Sequence, residues 1–275
     1  MSPESRILYT PRDVRPWNRR AEARRKTRLW ILGGCAVLAL FLAGGAVLTR
    51  IPAFQVKEIE IRGLTTLDSE EVRGRARTML SGAYAFVIPR GMVLTVSGKG
   101  IGRALMNEFP RIKTVSVKKH LPDALEIFVE ERTPWGIFCG VDGRCAYIDE
   151  MGYAYESAPS FSGRLVTKVL SDAAIPAIPS QAVEPALMEK TRVIGDEVKK
   201  ILNASTVSYE LISDLPKEIR VVAPEGYRIY FDRESDLQNA FRVLKTVLAE
   251  EIKDKRARLD YIDLRFGNKV FYKLK

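Results

Sequence analysis

The sequence predicts a single-pass membrane protein whose exported part is an α+β domain followed by a mixed, β-rich α+β domain. Three observations support this fold class. Residues 29–49 form an uncharged apolar run, residues 54–133 show the order strand, helix, helix, strand, strand, and residues 134–275 alternate strand and helix patterns. A chain of 275 residues has room for both domains.

Residues 1–28 form a basic tail. They contain nine Lys or Arg against three Asp or Glu, whereas the rest of the chain contains 35 and 31. The net charge of +10 is therefore mostly a property of the tail. A basic run beside an apolar span is typical of a topology signal that contacts anionic lipids, so we expect a lipid bilayer, and no nucleic acid, as its partner.

The apolar run at 29–49 has 21 residues, close to the ~20 that span a bilayer as a helix. The positive-inside rule places the tail in the cytoplasm and the residues after Thr49 outside it. A cleaved signal peptide is the alternative, because the small residues at 43–46 are compatible with cleavage. The apolar core is, however, longer than the roughly 7 to 15 residues of a secretory signal.

Residues 54–133 contain the first exported domain. An alternating strand pattern at 54–63 ends at a glycine, and Asp68 is placed to cap a helix that follows it. A second helix is predicted over 97–109. Two more alternating strands follow, at 112–122 and 124–134. This order predicts a small sheet with both helices packed on one face.

Residues 134–275 contain the second exported domain, which is richer in strands. Strand patterns occur at 147–157, 207–212, 218–224, 227–232 and 259–275. Helices are predicted over 185–202 and 235–252, and the second has an apolar stripe of Leu237, Phe241, Leu244 and Leu248. The last strand pattern contains Gly267-Asn268, which predicts a terminal hairpin.

Two cysteines flank a hairpin-turn signal in the second domain. Cys139 and Cys145 lie on either side of Asp142-Gly143, which places them opposite each other on paired strands. An oxidising compartment favours a disulfide between them, and two reduced thiols are the alternative.

Several segments resemble the FtsQ/DivIB family of bacterial cell-division proteins. The residues HLPDALEIFVEERTP at 120–134 resemble a POTRA module of that type, as does VKEIEIRG at 56–63. In the second domain, AYIDEMGYAY at 146–155 and YIDLRFGNKVFYK at 261–273 resemble the first and last hairpins of the family's β domain. The resemblance covers residues 29–275, with a divergent middle at about 157–215.

The resemblance implies a non-catalytic scaffold of the division septum. Such a protein crosses the inner (cytoplasmic) membrane once, with its N-terminus in the cytoplasm and its C-terminus outside. It joins FtsB- and FtsL-like proteins, contacts other division proteins through the POTRA domain, and helps to regulate septal wall synthesis. A POTRA-containing export or envelope-assembly factor is the alternative, although that class normally carries several POTRA repeats.

The terminal hairpin is the predicted partner-binding edge. Alternation places Ile262, Leu264 and Phe266 on one face, which we expect to be core, and Tyr261, Asp263 and Arg265 on the other. An open edge strand is either blocked against aggregation, here by Lys269 and Lys273, or used to add a strand from a partner. The resemblance favours use by an FtsB segment. The predicted contact residues are Tyr261, Arg265, Phe266, Lys269, Val270, Phe271 and Tyr272, with Arg265 binding an acidic partner side chain.

A second docking surface is predicted on the POTRA module, formed by Lys113, Lys118 and Lys119. A solvated strand face is the alternative interpretation of these lysines.

Motifs that resemble catalytic sites lack the spacing or orientation that the chemistry would require. Ser116 and Lys119 have SxxK spacing, but in a strand these positions point to opposite faces. The glycines at 98–102 do not have the spacing of a phosphate loop. His120 is the one histidine of the sequence, and no Cys, His and carboxylate cluster has metal-ligand spacing. We therefore expect no enzyme activity, metal or cofactor.

Overall fold

The structure is a computed structural model that describes residues 16–48, 52–84, 88–160, 166–204, 207–212, 215, 217–267 and 269–275. Side chains are described except those of 16–23, 41–43, 46–48, 52, 83–84 and 88. Its contacts define two compact units. One consists of the described residues of 1–60, 73–98 and 118–126, and the other of 61–72, 99–117 and 127–275.

The first helix, α1, extends over Pro16–Leu48 and has 33 residues. It is longer than the predicted span at 29–49, because it includes part of the basic tail. In the part of the chain that the structure describes, no helix has the length and apolar character that crossing a membrane requires. Thr49 and the side chains of 41–43 and 46–48, which belong to the predicted span, lie outside the described residues.

The next elements follow the predicted order. They are β1 (Glu58–Arg62), α2 (Ser69–Leu80), the short strands β2 (Ala83–Tyr84) and β3 (Ile88–Pro89), α3 (Gly98–Glu108), β4 (Ile112–His120) and β5 (Ala124–Glu131). A three-stranded sheet has the order β1, β5, β4, and β2 and β3 form a separate hairpin that the periodicity did not predict. The predicted α+β arrangement of this region is therefore confirmed.

Local contacts explain two sequence features of these helices. Asp68 precedes α2, and its Oδ1 accepts a hydrogen bond from Glu70 N at 3.0 Å, as expected of an N-cap. Gly102 lies in α3 with its Cα facing strand β4, where an added Cβ would be 3.4 Å from Val115 Cβ. The glycine therefore permits close packing of helix on strand rather than phosphate binding.

Glu131, at the end of β5, holds the loop that leads into α2. Its carboxylate accepts hydrogen bonds from the backbone N–H groups of Thr65, Thr66 and Leu67 at 2.8–3.0 Å. Burial alone would raise the pKa of this carboxyl, but the three N–H donors lower its pKa to about 2. Glu130 points elsewhere and accepts a hydrogen bond from Thr114 Oγ1 at 3.0 Å, so the two carboxylates diverge, as the side chains of successive strand residues do.

The remaining strands form one ten-stranded sheet in the order β10, β8, β7, β6, β9, β11, β12, β13, β14, β15. They are β6 (Gly136–Cys139), β7 (Cys145–Ile148), β8 (Tyr153–Ala158), β9 (Lys168–Ser171), β10 (Ser180–Gln181), β11 (Ser208–Leu211), β12 (Glu218–Val222), β13 (Arg228–Asp232), β14 (Leu259–Phe266) and β15 (Lys269–Leu274). The pattern at 147–157 forms two strands and a turn instead of one strand.

Two helices cross over between parallel strands of this sheet. Helix α4 (Pro185–Leu202) connects the β9 region to β11, and α5 (Leu237–Val247) connects β13 to β14. The predicted second helix over 235–252 is shorter, because 248–252 form a π-helical turn and 253–258 a 3-10 helix. Phe241, Leu244 and Leu248 are buried, which confirms the predicted stripe as core.

Tyr209 of β11 packs on α4 at Gly195. The phenol ring is fully buried, and a Cβ added to Gly195 would be 1.6 Å from Tyr209 Oη and 2.7 Å from its Cζ. Trp135 lies on the same ring, with centroids 5.7 Å apart. Gly195 is therefore required by the shape of Tyr209.

Three ion pairs join the turn and strand around 149–156 to the ends of β4 and β5. Arg132 Nη1 is 2.5 Å from Asp149 Oδ2, and the Arg132 guanidinium stacks on the Tyr153 ring at 4.2 Å. Lys113 pairs with Glu150 at 3.0 Å, and Arg111 pairs with Glu156. Asp149 is almost completely buried, so its pairing with Arg132 matters most for stability.

Candidate partner-binding edge

The terminal hairpin is anchored in the core by one face of β14. Leu259, Ile262 and Leu264 are buried beneath it, and β14 runs parallel to β13 and antiparallel to β15. Gly267 has φ +65°, a left-handed conformation that favours glycine in the turn. Asn268, the second residue of the predicted turn pair, lies outside the described residues.

Strand β15 is the edge of the ten-stranded sheet. Among the described strands it pairs with β14 alone, so its other side has no strand partner. Val270 and Leu274 pack against the core, whereas Phe271 is 51% and Tyr272 42% exposed. The strand is therefore held in place by two side chains and exposes two aromatic ones beside an open edge.

Phe266 corrects the predicted alternation of β14. It was expected on the core face with Ile262 and Leu264, but it is 55% exposed. The pairing register with β15 is irregular between Asp263 and Phe266, which breaks the strict alternation of faces. The Phe266 ring instead contacts Phe271 edge to face, with centroids 5.3 Å apart, and extends the exposed aromatic surface.

Arg265 is engaged within the chain, which corrects its predicted role as the partner of an acidic residue on another protein. Its Nε is 2.8 Å from Asp263 Oδ1 and its Nη2 is 2.5 Å from Asp263 Oδ2, and Nη1 pairs with Glu218. The hydrogen bonds to Asp263 outweigh partial burial and, together with the charge of Glu218, raise the pKa of the Arg265 guanidinium.

The Arg265 cluster continues across the sheet. Glu218 and Asp263 are buried acids, and Arg220 pairs with the second oxygen of Glu218. Arg220 and Arg265 stack on the Tyr230 ring, at 5.3 and 5.2 Å from its centroid. The cluster therefore fixes β14 to β12 and β13, and Arg265 positions the hairpin rather than presenting a free cation.

Tyr261, Lys269 and Lys273 complete the predicted contact set. The Tyr261 ring lies 5.7 Å from that of Tyr230, and Tyr261 is opposite Lys273 in the register. Lys273 Nζ is 3.3 Å from Asp260 Oδ2, an exposed pair of small energetic value. Lys269 is exposed opposite Phe266. The open edge is thus positively charged and aromatic.

The lysines of the predicted second docking surface, Lys113, Lys118 and Lys119, do not share a common set of neighbours. Lys113 pairs with Glu150 at 3.0 Å and Glu130 at 3.4 Å, and hydrogen bonds to these two acids raise its pKa. Lys119 Nζ donates to Leu94 O at 3.0 Å. Strand alternation places Lys118 on the opposite face of β4 from Lys119, so the three lysines do not form one patch.

Cys139 and Cys145 are joined by a disulfide in the structure. They are opposite each other in the β6–β7 hairpin, with Cα atoms 4.1 Å apart, and Gly143 N donates to Gly140 O at 3.1 Å in the turn. The bridge closes the hairpin beside Asp142-Gly143, the turn that the sequence indicated.

No group of three or more His, Cys, Asp or Glu residues with the geometry of a metal site occurs among the described residues. His120 Nε2 lies 2.9 Å from Glu126 Oε2 at the end of β4, a local pair on an exposed strand end.

The strands and helices described within 54–132 follow the order expected of a POTRA domain. Residues 54–132 match the family model of the FtsQ-type POTRA domain. This match confirms the predicted relationship to the FtsQ/DivIB family of bacterial division proteins, and the strand-rich domain that follows is consistent with it. The domain type indicates a role in cell division. No curated protein matches the chain.

Proposed function

We propose that this protein is a non-catalytic scaffold of the bacterial division machinery, which binds FtsB- and FtsL-like proteins through strand β15 and helps to regulate septal wall synthesis. The observation that supports it most strongly is the combination of an FtsQ-type POTRA domain with an open, aromatic sheet edge. POTRA domains mediate protein–protein interactions, and we expect other division proteins to dock on this one.

The edge suits an extended partner segment. An added strand gains main-chain hydrogen bonds along β15, and alternating side chains provide specificity. Phe266, Phe271 and Tyr272 offer apolar contact beside this edge, and Lys269 supplies positive charge. Aromatic anchors of this type are frequent hot spots, often worth about 2 kcal/mol or more each.

The proposal includes anchoring in the inner membrane by residues 29–49, with the body outside the cytoplasm. Large apolar side chains of α1 are exposed in succession, among them Leu29, Trp30, Ile31 and Leu32, and Trp30 is 82% exposed. Such a continuous exposed apolar surface is rare on soluble proteins and typical of a segment that contacts lipid or protein. A reporter that is active only outside the cytoplasm, fused after Lys275, should be active.

The binding proposal is tested with Phe271→Ala combined with Tyr272→Ala in the full-length protein. Val270 and Leu274, which anchor the strand, remain in place, so the fold should persist. We expect pull-down of FtsB and FtsL from membranes to fall by tenfold or more, a ~1.4 kcal/mol loss or greater.

The matched control is Val193→Ala, which truncates an exposed side chain on α4. It should leave both binding and thermal unfolding near those of the unmodified protein. Full binding by the double variant, with unfolding unchanged, would contradict the proposed edge.

A further inference from the structure

The side chains of β15 form two rows on opposite sides of the sheet. Tyr272 is opposite Ile262 of β14, which is buried, so Tyr272 lies on the core side. Phe271 is opposite Asp263 and lies on the other side, where its ring is half-exposed. Alternation extends this second row, here called the outer row, which consists of Lys269, Phe271, Lys273 and Lys275.

Strand β15 keeps regular alternation along its whole length. The two irregularities in its pairing with β14 each place the additional residue in β14, at 259–261 and at 263–266. Lys275 continues the ladder beyond the strand, because its backbone N–H donates to Arg258 O at 2.7 Å. At about 3.4 Å per residue, the outer row from 269 to 275 is therefore about 20 Å long.

The positive charge of the outer row is only partly compensated. Lys269 and Lys275 are exposed, and neither side chain makes an ion pair or a hydrogen bond with the described part of the chain. Lys273 Nζ is 3.3 Å from Asp260 Oδ2, in an exposed pair of small energetic value. Asp263, the acid opposite Phe271, is bound by Arg265. The open edge thus presents two cations without a counter-charge.

This charge pattern disfavours a second copy of the chain at the same edge. Antiparallel pairing of two β15 strands about Tyr272 would place Lys269 of one copy opposite Lys275 of the other. Parallel pairing in register would place each lysine beside its own copy. Like charges directly opposite each other are destabilising. The edge is therefore protected from pairing with itself, while it remains open to a chain of opposite charge.

We propose that β15 selects an extended partner segment that carries acidic side chains opposite Lys269, Lys273 and Lys275 and an apolar side chain opposite Phe271. These positions alternate, so the acids lie on one face of the added strand. The inference rests on the proposed binding at β15 and names the sequence pattern that this edge recognises. The charge pairs supply selectivity and faster association, and the main chain and aromatic rings supply most of the affinity.

The first test reverses the two uncompensated lysines in the full-length protein, as Lys269→Glu with Lys275→Glu. Pull-down of FtsB and FtsL from membranes at low salt should fall by about tenfold, because two attractive pairs become repulsive. The loss should shrink as the salt concentration is raised, since salt screens exposed charges. Both positions are exposed, so thermal unfolding should stay unchanged. The milder Lys269→Gln with Lys275→Gln should show a smaller loss in the same direction.

The matched control is Lys190→Glu with Arg192→Glu on α4. It changes the net charge by the same amount, and neither side chain has an ion pair among the described residues. Helix α4 leads into β11 rather than into the terminal hairpin. The control should therefore leave pull-down of FtsB and FtsL near that of the unmodified protein.

A charge swap in the partner tests the predicted pattern itself. Lysine is introduced at pairs of acidic residues of FtsB that are six positions apart, the separation of Lys269 and Lys275. One such pair should weaken binding to the unmodified protein and restore binding to Lys269→Glu with Lys275→Glu. Failure of every such pair to restore binding would overturn the proposed pattern.

Further outcomes separate this inference from the binding proposal. If Phe271→Ala with Tyr272→Ala loses binding but the lysine reversal does not, charge selection is refuted and the edge remains. Full binding by both variants would refute the edge and the selection together. Equal losses in the lysine reversal and the α4 control would assign the effect to net charge. A dimer in sedimentation that Phe271→Ala dissociates would assign the edge to a second copy.

Discussion

Replacing Gly195 by alanine tests how tightly α4 packs on the large sheet. The new Cβ would be 1.6 Å from Tyr209 Oη and 2.7 Å from Cζ, both far inside contact distance. Tyr209 is fully buried and its ring is also held by Trp135, so it has little room to move. Overpacking of a core costs typically 1–3 kcal/mol, against a gain of about 1 kcal/mol from the better helix propensity of alanine.

Because the overlap with Tyr209 is severe, the cost should be in the upper part of this range, about 2–3 kcal/mol. We therefore expect Gly195→Ala to lower the free energy of unfolding by about 1–2 kcal/mol in urea titration, despite its higher helix propensity. The control is Gly74→Ala in α2, where an added Cβ has no neighbour within 4 Å, and it should stabilise by up to about 1 kcal/mol.

Tyr209→Phe completes a double-mutant cycle. Among the described residues, Tyr209 Oη is buried without a hydrogen-bond partner, so its removal should be close to neutral. When combined with Gly195→Ala, Tyr209→Phe should restore part of the lost stability, because it removes Oη, the atom nearest to the new Cβ. Cζ remains, so the restoration should be incomplete. Equal stability of Gly195→Ala and the unmodified protein, or no coupling between the two sites, would refute this account of the packing.

Three further predictions concern charge and covalent structure. Because the hydrogen-bonded Glu131 carboxyl has its pKa lowered from 4.5 to about 2, its stabilisation is present above pH 4.5 and is lost as the pH falls towards 2. Over that pH range, the free energy of unfolding in urea should fall by ~1–2 kcal/mol more in the unmodified protein than in Glu131→Gln, a difference that already allows for solvent screening of the carboxylate. Parallel pH profiles of the two proteins would refute this prediction. Arg265→Ala should lower the free energy of unfolding by about 2 kcal/mol, because it leaves the buried acids Asp263 and Glu218 poorly paired. Arg265→Lys should not restore this loss fully, because lysine cannot make the bidentate contact. Lys269→Ala is the exposed control, and an equal loss of stability in Arg265→Ala and Lys269→Ala would contradict the role of the cluster. Because the Cys139–Cys145 disulfide closes a short loop, the double variant Cys139→Ser, Cys145→Ser should have a free energy of unfolding about 2 kcal/mol lower. Unchanged unfolding of the double variant, or two reduced thiols in the exported protein by intact-mass measurement, would contradict this prediction.

Strong periodicity predicted the strands that have one buried and one exposed face. Alternation at 54–63, 112–122 and 124–134 gave β1, β4 and β5, in which Ile59, Ile112 and Leu125 are buried. The short strands β9 and β10 were missed. They lie in the divergent segment, and β9 pairs in parallel with both β6 and β11, an arrangement that no local pattern encodes.

At the candidate site, too, the sequence did not predict contacts between residues that are distant in the chain. The sequence indicated the terminal hairpin and its edge, but not the contacts of Arg265. Its partner Glu218 is 47 positions away, and only the pairing of β12, β13 and β14 brings them together. The exposure of Phe266 depends on the irregular register with β15, which strict alternation does not include. Likewise, the sequence gives no reason for Gly195, which has low helix propensity, within α4. The structure explains it, because any side chain at this position would overlap Tyr209.

The most direct test of the proposed edge is amide hydrogen exchange in the full-length protein, measured in membranes with and without FtsB and FtsL. Strand addition should slow exchange at amides of β15 that do not bond to β14, while amides of β10, at the opposite edge of the sheet, stay unchanged. Bound partners that leave β15 exchange unaltered, or that protect β10 instead, would contradict the account.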